Sequence, residues 1–204
     1  MEYSSTNLRA ANKQANPLSN LPDCQNFKKK GLNLIITTER VAQLDNETKN
    51  WLMDLMKRNM KSQYESTSWG WNTKSKEKEM FEQSAWYLIV RESVSNLPVA
   101  FSHFRFDIDF DYEVLYVYEI QVEEDYRGKS IGKFIMETLE RLCIQSKMEK
   151  IILTVFKQNQ GARMFFREVM EFKLDESSPA DTSEEHFDYE ILSKNTDRTK
   201  NNFN

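Results

Sequence analysis

The sequence predicts a mixed α/β domain, with a mostly antiparallel central sheet flanked by helices, and three observations predict it. Apolar runs rich in Val, Ile, Tyr and Phe at 85–91, 99–106 and 114–122 follow one another across short turn-forming gaps, as an antiparallel meander does. A stripe at helical spacing, Ile131, Phe134, Ile135, Leu139 and Leu142, comes directly after them and leads into another apolar run at 151–156. With 204 residues, 39% of them hydrophobic and 12% aromatic, the chain is long enough for one domain with a substantial core.

The elements follow in order. Residues 1–30 are polar, with two prolines, and read as a loosely attached arm carrying one helix around 6–14. Leu32-Asn-Leu-Ile-Ile-Thr-Thr is the first strand. Residues 47–60 form a helix with Trp51, Leu52, Leu55 and Met56 on one face, capped by Asp45 or Asn46. A short helix at 75–81 precedes the meander, whose turns fall at Asn96-Leu-Pro98 and at 109–111. The helix at 130–146, the strand at 151–156, a helix at 160–169 and two last strands near 171–174 and 187–192 complete the domain, set at 31–193. The end, 194–204, is polar and read as a disordered tail.

The most informative segment is Tyr118-Glu-Ile-Gln-Val-Glu-Glu-Asp-Tyr-Arg-Gly-Lys-Ser-Ile-Gly-Lys133, an apolar strand, a tight basic turn and a helix start in sixteen residues. Arg127, Gly128, Lys129 and Gly132 sit where a helix points its free N–H groups outward, and those donors with the helix dipole attract a diphosphate. A nucleotide-triphosphate loop would need a further glycine five residues before Gly128, and that position is Glu123. The dinucleotide fingerprint needs three glycines where this turn has two.

What remains is the pattern Arg/Gln-x-x-Gly-x-Gly/Ala, filled by Arg127-Gly-Lys-Ser-Ile-Gly132, which resembles the acetyl-CoA pyrophosphate loop of the GCN5-related N-acetyltransferase (GNAT) superfamily. Ser130 stands in place of the first glycine. A second match is a strand, then Asn159, then a helix bearing Phe165 and Phe166. The resemblance implies the fold, splayed at the cofactor slot, and acetyl-CoA as co-substrate. The cofactor would meet Ile120, Gln121, Val122, Arg127, Gly128, Lys129, Ser130, Ile131, Gly132, Lys133, Asn159 and Phe165. A backbone amide around 120–122 would hold the acetyl oxygen. Many members carry a tyrosine acid where this chain has Phe166, which has no proton to give, so the acid is another group or solvent.

Within that superfamily, Met60-Lys-Ser-Gln-Tyr64, Ser68-Trp-Gly-Trp71, Val99-Ala-Phe-Ser-His-Phe-Arg-Phe-Asp107, Leu153-Thr-Val-Phe-Lys157 and Tyr189-Glu-Ile-Leu-Ser193 together resemble the N-alpha-acetyltransferase D (NatD) family. Members acetylate the N-terminal serine of core histones beginning Ser-Gly-Arg-Gly, histone four and histone two-A. The resemblance implies those tails as partners, residence in nucleus and cytoplasm, and a peptide groove lined by Tyr64, Trp69, Asp107, Tyr116, Tyr118 and Tyr189. Glu119, a carboxylate in an otherwise apolar strand, is the expected base, beside Tyr118. In a regular strand these two point to opposite faces, so a bulge is expected there. Two other readings stay open: a GNAT enzyme for a small amine or an internal lysine, and a chromatin-binding module that holds acyl-CoA without catalysis.

Composition limits the rest. A net charge of −4 argues against a nucleic-acid binder and suits a basic partner, with acidic runs at 107–113 and 175–190 to meet it. No long apolar run or leader is present, so no membrane association is expected. Cys24 and Cys143 lie far apart and His103 and His186 stand without partner ligands, so no metal is expected; His103 reads as a sheet residue satisfied by hydrogen bonds. A monomer is expected.

Overall fold

Local chemistry sets most element ends in the computed structural model, which describes residues 6–196. Lys30 and Gly31 both take left-handed backbone, with φ 51° and 76°, as a two-residue type I′ hairpin turn requires. They join β1 (Asn26–Lys29) to β2 (Leu32–Arg40). The sequence reading has no strand before residue 32; β1 is added to it, because Asn-Phe-Lys-Lys offers one apolar residue and no readable alternation. That residue, Phe27, is buried.

Helix α1 (Thr6–Lys13) precedes β1, and α2 (Asn46–Glu65) and α3 (Thr73–Met80) follow β2. Asp45 Oδ1 accepts from Thr48 N at 2.7 Å to cap α2, and Asn72 Oδ1 accepts from Ser75 N at 2.9 Å to cap α3. The meander is β3 (Trp86–Glu92), β4 (Pro98–Asp109) and β5 (Tyr112–Val122). Phe110 and Asp111, at φ 45° and 68°, repeat the left-handed pair between β4 and β5. Then come α4 (Ile131–Gln145), β6 (Lys150–Phe156), α5 (Gln160–Met164) running into a π-helical turn (Phe165–Val169), β7 (Lys173–Leu174) and β8 (Tyr189–Asn195).

The fold is the predicted α/β one. Eight strands lie in the order β1-β2-β3-β4-β5-β6-β8-β7. Pairing of β5 with β6 is parallel, Val114 to Val117 against Lys150 to Leu153. β1 with β2, β2 with β3, β3 with β4, β6 with β8 and β7 with β8 are all antiparallel.

By contacts the chain forms two units. One comprises Ala15–Arg105 and Tyr118–Ile135. Its core joins Leu44, Leu52, Leu55 and Met56 to Met80, Tyr87, Ile89 and Phe101, so the apolar face expected for α2 is the one it buries. Each fully buried aliphatic or aromatic side chain of this kind contributes about 1.5–3 kcal/mol. The other unit comprises the chain up to Gln14, Phe106–Val117 and the chain from Met136 onward. Its buried residues include Val114, Leu115, Leu139, Leu142, Ile151, Ile152, Leu153 and Leu192.

Residues 6–30 are packed through their few apolar residues: Leu8, Ala11, Leu18, Leu21, Cys24 and Phe27 are buried. Glu113 accepts from Leu8 N at 3.1 Å and from the Asn7 amide at 3.3 Å, a carboxylate placed on the positive end of α1. At the other end β8 runs on to Asn195, because Lys194 and Asn195 continue the register with β6. Residues 1–5 of the expected arm and 197–204 of the expected tail lie outside the described residues.

Candidate active site

The first unit holds the segment singled out in the sequence together with the side chains that serve it. Strand β5 ends at Val122, one short 3-10 turn (Glu124–Tyr126) follows, and α4 begins at Ile131 with Phe134 N bonding to Ser130 O at 3.1 Å. Gly128 and Ser130 both have φ 70°. A methyl group built on Gly128 would meet nothing within 4 Å, so its backbone is open to a ligand, and left-handed backbone is what requires glycine there. Ser130 takes the same conformation without being glycine, which explains physically why the superfamily pattern prefers glycine at that position. Arg127 and Lys129 add charge; Lys129 Nζ sits 5.3 Å over the Tyr126 ring and Lys30 Nζ donates to Gly128 O at 3.1 Å. These features fit a diphosphate.

The first carboxylate of the acidic run before the turn is compensated. Arg58 grips Glu123 with two bonds of 2.9 Å and Trp51 Nε1 adds a third, also 2.9 Å. Arg58 thereby holds Glu123 below the usual carboxylate range.

Glu119 is 7% exposed, so it is no rim residue. Its Oε1 accepts from Lys76 Nζ at 3.1 Å and its Oε2 from Gln121 Nε2 at 3.0 Å. Burial pushes Glu119 above the ordinary glutamate value against the pull of Lys76. Lys76 is buried too and gives its three protons to Glu119, to Glu79 Oε1 at 2.6 Å and to the Tyr64 hydroxyl at 2.7 Å. Burial alone would lower Lys76, but Glu119, Tyr64 and Glu79 outweigh it and hold the ammonium charged.

Tyr118 faces His103 ring to ring at 4.8 Å, and the Arg105 guanidinium lies 4.2 Å over it. His103 also stacks on Tyr87, whose hydroxyl donates to Met80 O at the end of α3. Glu119 reaches Lys76 of that same helix. Two consecutive side chains thus engage one face of the sheet, which a regular strand forbids and a bulge would allow. Burial, with the charges of Arg105 and Lys76, holds His103 well below its usual value and therefore neutral. Its Nε2 accepts from Arg105 Nε at 3.3 Å, while Nδ1 is buried with no partner. The expectation of a satisfied histidine is therefore corrected to half-satisfied: its faces are covered by the Tyr87 and Tyr118 rings, which keep water from the imidazole without supplying a hydrogen bond.

Tyr64 closes the group. It lies 6.2 Å from the Trp69 ring and 5.6 Å from Trp71, edge to face, across a turn where Gly70 has φ 62°. Trp69 is 51% exposed. Burial, then the charge of Glu119, pushes the Tyr64 hydroxyl above its ordinary range.

This unit thus brings Tyr64, Trp69, Tyr118 and Glu119 together and ties them to the turn through Gln121, whose Oε1 accepts from Asn59 at 3.0 Å, and through Arg127 Nη2, which donates to Asn59 Oδ1 at 2.6 Å. Ile120 is half-buried between Glu119 and Gln121; Val122 O accepts from Arg127 Nε at 3.2 Å. Lys76, Glu79, Asn59 and Arg105 are given no site role by the sequence. Thr-Lys-Ser-Lys-Glu-Lys-Glu-Met spaces three lysines evenly on a polar helix, so nothing local marks Lys76 as the buried one.

The other predicted residues belong to the second unit. Asp107 is exposed and accepts from Ile108 N at 2.8 Å. The Tyr116 hydroxyl pairs with Thr154 Oγ1 at 2.6 Å. Tyr189 is half-buried, 6.1 Å from Phe187. Asn159 Oδ1 caps α5 by accepting from Ala162 N at 3.2 Å. Phe165 is half-buried and stands edge-on to the buried Phe166 at 5.2 Å. No cluster of three or more His, Cys, Asp or Glu able to hold a metal occurs among the described residues, and no helix among them is long and apolar enough to cross a membrane.

The acetyltransferase (GNAT) family model matches residues 50–172. Solved structures with a similar fold include a GNAT-family acetyltransferase from Listeria monocytogenes (16% identity, 84% of this chain and 99% of that one, TM-score 0.56). The ribosomal-protein-S18-alanine N-acetyltransferase of Escherichia coli is similar over 83% of this chain and 99% of that one, at 14% identity and TM-score 0.56. Arabidopsis thaliana Naa50, bound to the bisubstrate analogue CoA-Ac-MVNAL, is similar over 79% and 99%, at 16% identity and TM-score 0.53.

Proposed function

The chain belongs to the acetyltransferase (GNAT) family, and from that premise we propose that it is an N-terminal acetyltransferase of the NatD type, acting on the serine α-amine of chains that begin Ser-Gly-Arg-Gly, the tails of histone four and histone two-A. The observation that carries the reading is the buried Glu119, set in one unit beside Tyr64 and the Trp69-Gly-Trp71 turn and joined by hydrogen bonds to the 127–133 loop.

Arg127, Gly128, Lys129, Ser130, Ile131, Gly132 and Lys133 would hold the diphosphate of acetyl-CoA, whose thioester supplies an activated acyl carbon when bound. Glu119 takes the proton of the attacking amine, directly or across one water. An α-amine, with its reference pKa near 7.7–8.0, is already partly neutral at neutral pH, so a carboxylate lifted above its ordinary value suffices as base, whereas a lysine near 10.4 asks for more. Tyr64 and Trp69 present flat surfaces suited to a Ser-Gly backbone, which has almost no side chain to exclude them. The roles given to Asp107, Tyr116, Tyr189, Asn159 and Phe165 rest on the sequence resemblance.

The test is acetyl transfer read by mass spectrometry on a Ser-Gly-Arg-Gly peptide, on peptides with other first residues, and on an N-terminally blocked peptide with internal lysines. Transfer confined to the serine α-amine is expected. Equal transfer to other first residues, or transfer to lysine alone, overturns the substrate. Lack of saturable coenzyme A uptake in calorimetry overturns the enzyme.

A further inference from the structure

Buried lysines are rare because an unpaired ammonium is costly to remove from water, and Lys76 is buried on a helix whose other two lysines are exposed. All three of its protons are used, on Glu119, Glu79 and Tyr64, and its Nζ lies 4.7 Å from the centre of the Tyr64 ring. The other Glu119 oxygen is fixed from the opposite side by donors that all point one way, Arg127 to Asn59, Asn59 to Gln121 and Gln121 to Glu119. Each donor settles which way the next amide faces.

We propose that Lys76 is a positioning residue for acetyl transfer, holding Glu119 ionised and fixing the oxygen that it faces. The proposal rests on Glu119 being the base. Other groups facing the pair are Glu79 from α3, Tyr64 from α2, Tyr87 from β3, His103 and Arg105 from β4, and Gln121 from β5. Arg105 does not replace Lys76, because its guanidinium is taken up by the Glu82 carboxylate, Glu79 O and His103. Among the described residues Lys76 is the cation that bonds Glu119 directly. With the ammonium gone, burial and the charge of Glu79 act on Glu119 against the Gln121 hydrogen bond, and a carboxylate forms only at higher pH.

The experiment is the pH profile of kcat for Lys76→Met, Lys76→Arg and Glu79→Gln, with circular dichroism to check folding and calorimetry for coenzyme A. For Lys76→Met the acidic limb should move up by about one pH unit or more, with turnover at pH values on the limb down about tenfold and restored toward alkaline pH. Lys76→Arg should keep the limb near its original place, and coenzyme A affinity should stay within about twofold for all three. Glu79 is 39% exposed and its loss is tolerable to the fold; removing its charge should move the limb down. A folded Lys76→Met enzyme whose limb stays in place overturns the proposal whatever its rate, because a merely structural lysine would change rate without moving the limb. If Lys76→Met does not fold, a limb that stays or rises in Glu79→Gln, or that rises in Lys76→Arg, overturns it instead. Failure of the underlying reading looks different: Glu119→Gln would then retain turnover.

Discussion

Ser130 holds left-handed backbone, at φ 70°, in the middle of a loop whose chemistry depends on backbone N–H groups. Left-handed backbone costs a non-glycine residue about 1–2 kcal/mol, while glycine costs about 0.5–1 kcal/mol through the unfolded chain, so Ser130→Gly should stabilise by about 0–1.5 kcal/mol. Ser130→Val, branched at Cβ, should destabilise and weaken coenzyme A binding, and thermal melts with calorimetry check both. Glu119 sets the second residue-scale expectation. Because burial lifts its pKa, the acidic limb of kcat should lie above the ordinary glutamate value of 4.5. Glu119→Gln should lose that limb and lower turnover about a hundredfold or more, with peptide affinity little changed, in a steady-state pH series. Wild-type turnover across neutral pH would remove Glu119 as base.

Among the elements, β6 is tied to the turn after β7 by an ion pair with both side chains nearly dry. Lys150 Nζ meets Asp175 Oδ2 at 2.8 Å, with the side chains 4% and 3% exposed, and sits 4.4 Å over the Tyr112 ring. Asp175 Oδ1 accepts from Ser177 N at 2.9 Å and from its hydroxyl at 2.6 Å. Burial by itself pushes Asp175 up, but Lys150, Ser177 and Ser193 outweigh it and hold it well below the usual carboxylate range. A depressed folded pKa contributes stability that is present above the unfolded value of 3.8 and lost as pH falls through the folded one. Asp175→Asn leaves the ammonium buried and unpaired; it should cost about 3–5 kcal/mol, lowering the melting temperature at neutral pH by roughly 10 °C. The variant should also show a shallower loss of stability below about pH 4 than the parent, in calorimetric melts. An unchanged melt at neutral pH would show that the pair is replaceable.

Across the whole molecule the net charge is −4, and the proposed substrate is a basic tail. Long-range attraction of that kind is screened by salt while buried contacts are not. Raising sodium chloride from about 0.05 M to about 0.5 M should therefore raise KM for a Ser-Gly-Arg-Gly peptide several-fold with kcat nearly constant, and should do less for a peptide with a neutral third residue. Equal salt dependence of the two peptides would argue against reading of the arginine.

Much of this was legible before any coordinates. Strand β5, the turn and α4 are contiguous, and their signals, apolar alternation, glycine in a basic turn and a stripe at three and four residues, are local ones that neighbours in sequence satisfy. The same holds for the helix cap at Asp45, which bonds three residues ahead. The sequence by itself therefore determined the order of the elements from β2 onward, the loop able to take a diphosphate and the suspicion attached to Glu119. Only the tertiary structure decided which of three evenly spaced lysines is buried, that Lys76 and Glu119 meet across 43 positions, and that Tyr118 and Glu119 share a face. Local propensity cannot specify such pairs: a buried ammonium and carboxylate become neighbours only when packing brings remote segments together and removes the water that would otherwise keep them apart.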